Sequence, residues 1–538
     1  MSSSSRRRFL RQAAHAGVAL SASSTLGKFA FGQSYAAGPA RIYLDARRPI
    51  APLDRNIFGS FLEHLGRAIY EGIYDPASKL SDADGFRKDV IDEIRHMQVP
   101  LIRYPGGNFV SSYNWLDGVG PKQDRPRVLD KAWNATNTNQ IGTNEFMTWC
   151  KAVGAEPLMG LNFGTGSAED AANLVEYCNL EKGTKWSDLR RKHGVAEPYK
   201  IKRWCLGNEM DGPWQVGHMT ATEYGYKAQD AARQMHYIDP SLQLIACGSS
   251  GPGMPSYLEW DREVLEQCYE YVDALSLHRY VGNTPEETGN DSAKFVAMNL
   301  SMEKQIHETL AVCDLVQGHK RSPKQLWLSF DEWNVWYRAR SGDALRGHGE
   351  QAPHLLEEIY NLEDGLLVGG FLNTLMRNAD RVKIACLAQL INVIAPIMTN
   401  PTGMLRQTIY YPYLWALEMA RGKVLNLLVE SPTYEVAGMG QVPYLDCVAT
   451  SSDDGKTTLF ILNRDLAKAQ TVEVNWEDKA PGSVLTSTTL TGSELKAFNT
   501  FDSPNRVAPQ PFEKPITANG RTRFEVPARS YTAMQWGA

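Results

Sequence analysis

A chain of 538 residues exceeds one ordinary core, so two folded domains are expected. With 43% apolar and 22% charged residues and no apolar run long enough to cross a bilayer, the composition is that of a soluble globular protein and argues against a membrane function. A net charge of -5 with no basic stripe argues against a nucleic-acid function.

The N-terminus is a separate object. Residues 5–11 hold a twin arginine in a positive region, and residues 13–22 are moderately apolar and rich in Ala, Gly and Ser. This resembles a bacterial twin-arginine export signal over residues 1–37, cleaved after Gly32 or Ala37. It predicts a periplasmic or secreted protein.

Eight short apolar runs follow, at 57–61, 99–103, 157–161, 201–206, 242–247, 274–277, 326–330 and 382–387. Helical patterns lie between them at 86–97, 144–153, 168–180, 222–237, 258–271, 293–316 and 354–377. Strand and helix alternating at this count predict a (β/α)8 TIM barrel over residues 50–410. A doubly wound open sheet would need a glycine-rich phosphate loop after the first strand, and Gly59-Ser60-Phe61-Leu62-Glu63 is not one. Residues 411–538 change character, to one helix-like stretch and then short strand-like runs such as 457–462, 471–476 and 523–526. They read as an antiparallel β-sandwich, to which residues 40–49 add a strand. Residues 498–514, with Pro504, Pro509 and Pro511, read as a surface loop. The eight cysteines are scattered singly, with no CxxC pair or Cys/His cluster, so no metal site is signalled.

A barrel gathers its strand ends on one face, where barrel enzymes keep their reacting groups. The first run hands off to Glu63 and His64, the second to Arg103 and Asn108, the fourth to Asn208 and Glu209. The sixth hands off to His278 and Tyr280, the seventh to Asp331 and Glu332 with Trp336 beyond, the eighth to Gln389 and Asn392. Taken singly, each has a plain structural use: Asp331 pairing with a cation, Asn108 completing a turn, Arg103 keeping a carboxylate ionised. Their joint placement at six of the eight ends shifts the balance. Amides and carboxylates suit hydroxyl groups. Trp204 and Trp214 flank Glu209 and offer a sugar a flat apolar wall whose dryness would raise a carboxyl pKa. Two carboxylates on opposed strands suit glycoside hydrolysis.

The motifs also match a known family. Residues 59–74 around Glu63-His64, residues 103–115 from Arg103-Tyr104-Pro105-Gly106-Gly107-Asn108 onward, and residues 206–214 around Asn208-Glu209 resemble glycoside hydrolase family 51, the α-L-arabinofuranosidases. So do Ser276-Leu277-His278-Arg279-Tyr280, Asp331-Glu332-Trp333-Asn334-Val335-Trp336 and the stretch from Gln389 to Ile397, all in family order. The resemblance implies a retaining enzyme that releases terminal α-L-arabinofuranosyl units from arabinan- or arabinoxylan-derived saccharides. Glu209 would be its acid/base and Glu332 its nucleophile. Glu63, Asn108, Asn208, Tyr280 and Gln389 would hold the sugar, with His278 beside the nucleophile and Trp214 and Trp336 at the pocket's border. It further implies no cofactor, no metal and a homo-oligomer, often a hexamer in the family. β-Xylosidase or endoglucanase activity on the same fold, or a non-catalytic sugar-binding protein, are the alternatives. The last would be expected to lack one of the two carboxylates.

Overall fold

The computed structural model describes residues 38–340 and 346–538, so the segment read as an export signal lies outside the described residues. Eight parallel strands close into a barrel: Gly59–Phe61, Leu101–Tyr104, Glu156–Gly160, Arg203–Leu206, Gln243–Ala246, Ala274–Val281, Trp327–Val335 and Val382–Leu387. Each pairs with the next, and the last returns to the first. Helices cover the outside, so the strands are buried on both faces and read as continuous apolar runs rather than alternating ones. The helix Lys88–Met97 shows the complementary pattern. Val90, Ile91, Ile94 and Met97 form its buried stripe, and Gln98, in the left-handed conformation, closes it through a bond from its N–H to the Ile94 carbonyl.

The sixth and seventh strands run past their apolar stretches, to Val281 and Val335 rather than 277 and 330. The cause is pairing. After a register shift beyond Ser276, His278 lies opposite Glu332, Tyr280 opposite Asn334 and Val281 opposite Val335. These polar residues therefore stand in a hydrogen-bonded ladder and not in loops. The first strand begins at Gly59 rather than 57, because Arg55–Phe58 form a 3-10 turn capped by the Asp54 carboxylate. The last barrel helix begins at Leu362 rather than 354. Asn361 and Asp364 bond reciprocally to each other's backbone N–H and set its start. The helix expected at 293–316 runs from Asn299 to Lys320, after a short turn at Ser292–Phe295.

The tail carries the helix Tyr410–Met419 and two packed sheets. The five-stranded sheet runs in the order Leu428–Glu430, Ala40–Leu44, Gln470–Trp476, Arg521–Val526, Thr517–Ala518. The seven-stranded one runs Pro49–Pro52, Lys423–Leu425, Leu445–Ser451, Thr457–Asn463, Ser530–Trp536, Val484–Leu490, Gln510–Pro511. Ile42, Leu44, Val472, Val474, Ile461 and Trp536 are among the side chains that fill the space between them. The N-terminal segment supplies a strand to each sheet rather than one. Ala40–Leu44 runs parallel to Gln470–Trp476, so the sandwich is not wholly antiparallel. Gln510–Pro511 is a short edge strand inside the stretch read as loop. The helix Leu362–Arg377 packs against the barrel on one side and the seven-stranded sheet on the other, and so is buried all round from Leu362 to Met376.

Candidate active site

Glu332 projects from the seventh strand, buried and held from two sides. Arg103 Nη1 donates to its Oε1 at 2.6 Å, and the Tyr280 hydroxyl donates to its Oε2 at 2.8 Å. The same guanidinium gives Nη2 to Asn208 Oδ1 at 2.7 Å, and its Nε lies 3.4 Å from Asp331 Oδ2. One arginine thus ties together the ends of the second, fourth and seventh strands. It lies over the Phe61 ring from the first.

Glu209 stands two residues past Gly207. Both adopt positive φ, 102° for the glycine and 46° for the glutamate. A side chain at Gly207 would press on Phe163, with a contact of 2.9 Å. The left-handed conformation costs a non-glycine residue roughly 1–2 kcal/mol, a strain that is kept where it aims a side chain. Here it brings Glu209 Oε1 to 2.9 Å from His278 Nδ1 and Oε2 to 2.7 Å from Trp214 Nε1, which donates to it. The two flanking tryptophans do not share this duty. Trp204 is fully buried and donates to the Ile201 carbonyl, so the expected wall is Trp214 alone, and that ring is 51% exposed.

His278 sits between the acids. Its Nδ1 is also 3.6 Å from Glu332 Oε2, and its Nε2 is 3.2 Å from Asp331 Oδ1. Burial alone would strip the ring of its proton. The carboxylates of Glu332, Asp331 and Glu209 outweigh burial and hold the imidazole up to about 10. For Asp331, burial pushes upward, and Arg103 and His278 prevail to hold it below its ordinary value. Asp331 is thus paired with cations, as its plain structural reading had it.

One oxygen of Glu209, one of Glu332 and a ring nitrogen of His278 all lie within 4.8 Å of one another. Among the described residues this is the one His/Cys/Asp/Glu cluster compact enough for a metal. A cation there would have to displace the proton that the surrounding carboxylates hold on His278.

The groups expected to face a sugar come from the same strand ends. The Glu63 N–H donates to Gln389 Oε1 at 2.9 Å, joining the first and eighth strands. Glu63 Oε1 accepts from the Phe109 N–H at 2.9 Å and from Trp133 Nε1 at 2.7 Å, which leaves Oε2 without either bond. Burial pushes this carboxyl well above its usual range. Gly107, at φ 61°, makes room: a Cβ there would lie 2.1 Å from Glu63 Oε2. Asn208 Nδ2 is buried with no partner among the described residues, a donor available to a ligand. The Asn108 amide makes no hydrogen bond among the described residues, although its backbone carbonyl accepts from Gln215. Trp336 meets Tyr280 edge-on, with ring centres 5.4 Å apart.

Other strand-end residues are structural. Asn392 bonds the Arg67 carbonyl and Thr399. His64 bonds the Tyr104 hydroxyl at 2.8 Å and stacks on Phe109, while burial takes its pKa down to about 3. Trp133 was missed. It lies far along a loop that follows the second strand, held by Asp130, which accepts the N–H groups of Ala132 and Trp133. The N–H of Gly347, from a distant segment, bonds the Trp133 carbonyl at 2.8 Å. The Asp130 turn is a local signal, but the contact that brings the loop over Glu63 is not.

Residues 93–296 match the family described as the alpha-L-arabinofuranosidase 1 domain, and residues 331–530 the alpha-L-arabinofuranosidase C-terminal domain. An intracellular exo-alpha-(1->5)-L-arabinofuranosidase of Bacillus subtilis is 47% identical over 91% of this chain and 97% of its own length. One of the same name, less the numeral, from Acetivibrio thermocellus is 52% identical over 79% and 85%. Among solved structures, a family 51 α-L-arabinofuranosidase from Bifidobacterium longum superposes with a TM-score of 0.89, at 38% identity, over 93% of this chain and 100% of that one. Both sequence relatives are named intracellular, which overturns the expectation of a periplasmic or secreted protein. The twin arginine is a short motif, and in an otherwise basic leader it carries less weight than relatedness over most of the chain.

Proposed function

The chain belongs to the glycoside hydrolase family 51 α-L-arabinofuranosidases, and from that premise we propose an exo-acting, retaining hydrolase of terminal α-L-arabinofuranosyl units. The observation that carries the mechanism is the Glu209–Glu332 pair, whose nearest oxygens lie within 4.8 Å. Retention wants carboxyls about 5–5.5 Å apart, and inversion needs a wider gap to admit water between them. Glu332 is the nucleophile. Arg103 and Tyr280 lock both its oxygens, so that it meets the anomeric carbon without reorienting. Glu209 protonates the departing oxygen as the C–O bond breaks. It then takes a proton from the water that cleaves the glycosyl-enzyme, restoring Glu332 and retaining the anomeric configuration. His278, charged and touching both acids, balances the negative charge that passes between them.

Glu63 Oε2, Asn208 Nδ2, the Asn108 amide and Gln389 bind the ring hydroxyls, and Tyr280 and Trp336 border the ring. Trp214, half exposed beside Glu209, faces the leaving saccharide. The names of the relatives support α-(1→5)-linked arabinofuranosyl units as substrates, cleaved inside the cell, and favour arabinofuranosides over xylosides and glucans. The working form is a homo-oligomer, which light scattering would size. Domain limits near residues 50 and 410 separate the barrel from the sandwich, with the N-terminal strands belonging to the latter.

A panel of nitrophenyl glycosides tests the substrate: the α-L-arabinofuranoside should be cleaved far faster than the β-D-xylopyranoside. Glu332→Ala tests the chemistry. It should lose roughly 10⁴-fold or more in kcat, and azide should restore turnover as the inverted glycosyl azide. An azide product of retained configuration would place the nucleophile elsewhere.

A further inference from the structure

The opposite end of the barrel carries a second polar concavity. A groove of about 620 Å³ opens at the N-terminal mouth, lined by Arg55, Arg203 and Arg421 together with Gln98 and Glu156. Arg55 comes from the turn before the first strand, Arg203 begins the fourth, and Arg421 follows the helix Tyr410–Met419. Barrel closure and docking of the tail are both needed to bring the three together.

Their guanidinium groups are under-used. Arg55 Nη2 donates to the Gln98 carbonyl at 3.3 Å, and Arg421 Nη1 donates to the carbonyls of Leu417 at 2.6 Å and Ala420 at 2.9 Å. These acceptors are neutral, and among the described residues neither arginine forms an ion pair. Arg203 spends Nη1 on Glu156, 2.5 Å away. Arg55 Nη1, Arg203 Nη2 and Arg421 Nη2 have no protein acceptor among the described residues. Burial, then the charge of Arg55, pushes Arg421 down to about 10, with Glu418 a weaker opposing influence. Arg55 and Arg421 thus face one groove as half-buried like charges, and its one lining carboxylate, Glu156, is already paired with Arg203; an anion would relieve them.

We infer that this groove binds a phosphate group, free or as the monoester of a small molecule. Three planar forks from three segments can each engage oxygens of one tetrahedral oxyanion, whereas a single carboxylate saturates one fork. The volume falls in the range of small-ligand sites, enough for a phosphate with a sugar attached. The groove lies across the barrel from Glu209 and Glu332, so its occupant stabilises the fold by mass action without competing for the arabinoside.

The test is calorimetric titration of the full chain with inorganic phosphate and with ribose 5-phosphate, at fixed ionic strength in chloride. Saturable binding at one site is expected, weakened roughly tenfold or more by Arg421→Ala and left intact by saturating arabinose. Arg55→Gln, a milder change at a half-exposed position, should weaken it likewise if Arg421→Ala fails to fold. Tighter binding of the ester identifies a phosphorylated metabolite, and equal binding identifies free phosphate; both support the site. No saturable binding, binding indifferent to both variants, or displacement by arabinose would each overturn it.

Discussion

Two buried ionic networks in this molecule look alike and are built to opposite ends. At the junction of barrel and sandwich, Asp446 accepts from Arg377, Arg464, Asn299 and Asn373, and both of its oxygens are shared among donors. Burial would raise this carboxyl, but the two arginines hold it well below its ordinary range. Nothing there is left over. At the strand ends, Arg103, Asp331, His278 and Glu332 are as deeply buried, yet Asn208 Nδ2 has no partner among the described residues, and Glu209 reaches out to a half-exposed tryptophan. A closed network holds elements together, and an open one waits for a ligand. Buried ionic groups tell little about function until their unspent hydrogen bonds are counted.

Substitutions on each side sharpen the contrast. After Glu332→Ala, the largest effect should come from Glu209→Ala, which removes the proposed proton donor from the open network. Natural arabino-oligosaccharides should lose roughly 10²–10⁴-fold in kcat. Aryl arabinosides with acidic leaving groups should lose far less in forming the glycosyl-enzyme, as a burst measurement would show. Equal losses on both would remove the acid role. Next comes Asp446→Ala in the closed network, which leaves the buried Arg464 guanidinium without its carboxylate while Arg377 keeps Glu303, and should cost roughly 3–5 kcal/mol of stability. The melting temperature should fall while kcat of the folded enzyme holds. A matching fall in kcat would mean that the junction and the site are coupled.

How far this division was legible in the sequence depends on the residue. The placement of Glu209 and Glu332 together at the strand ends was legible because apolar runs end beside them and their motifs are long. The fold followed from counting those runs. The strand extensions to Val281 and Val335 were not, because polar residues in a ladder resemble a loop until their cross-strand partners are known. Trp133 depends on a bond to Gly347, and Trp204 was misassigned because adjacency to Glu209 in sequence says nothing of which face a strand residue takes. The second strand from the N-terminal segment was hidden for the same reason as Trp133: its partner, Lys423–Leu425, lies beyond the whole barrel in the sequence.

Two smaller effects complete the series. Asp331→Asn removes one of the three carboxylates around His278, whose pKa should drop from about 10 toward its reference of 6.5. In the wild type the folded-state value is the raised one. Its stabilisation is therefore complete below pH 6.5 and is lost as the pH rises to about 10. The variant should lose that alkaline dependence of stability and gain a new limb in its activity profile near neutrality. An unchanged profile would show that Asp331 does not control the imidazole. Trp133→Phe keeps a ring over Glu63 but removes the donor to Oε1. It should lower kcat/KM roughly fivefold, about 1 kcal/mol, and leave the melting temperature in place.

The pairing of Ala40–Leu44 with Gln470–Trp476, and of Pro49–Pro52 with Lys423–Leu425, bears on how the protein is made. These strands, made before the barrel, find their partners only when the chain beyond the barrel has been synthesised. Until then their edges stay open to wrong pairing, in a topology whose long loops make closure slow. The barrel, by contrast, adds each strand beside the one before it and can assemble as it emerges. Synthesis therefore leaves these two strands waiting, and a stalled or truncated chain would expose them as a nucleus for aggregation.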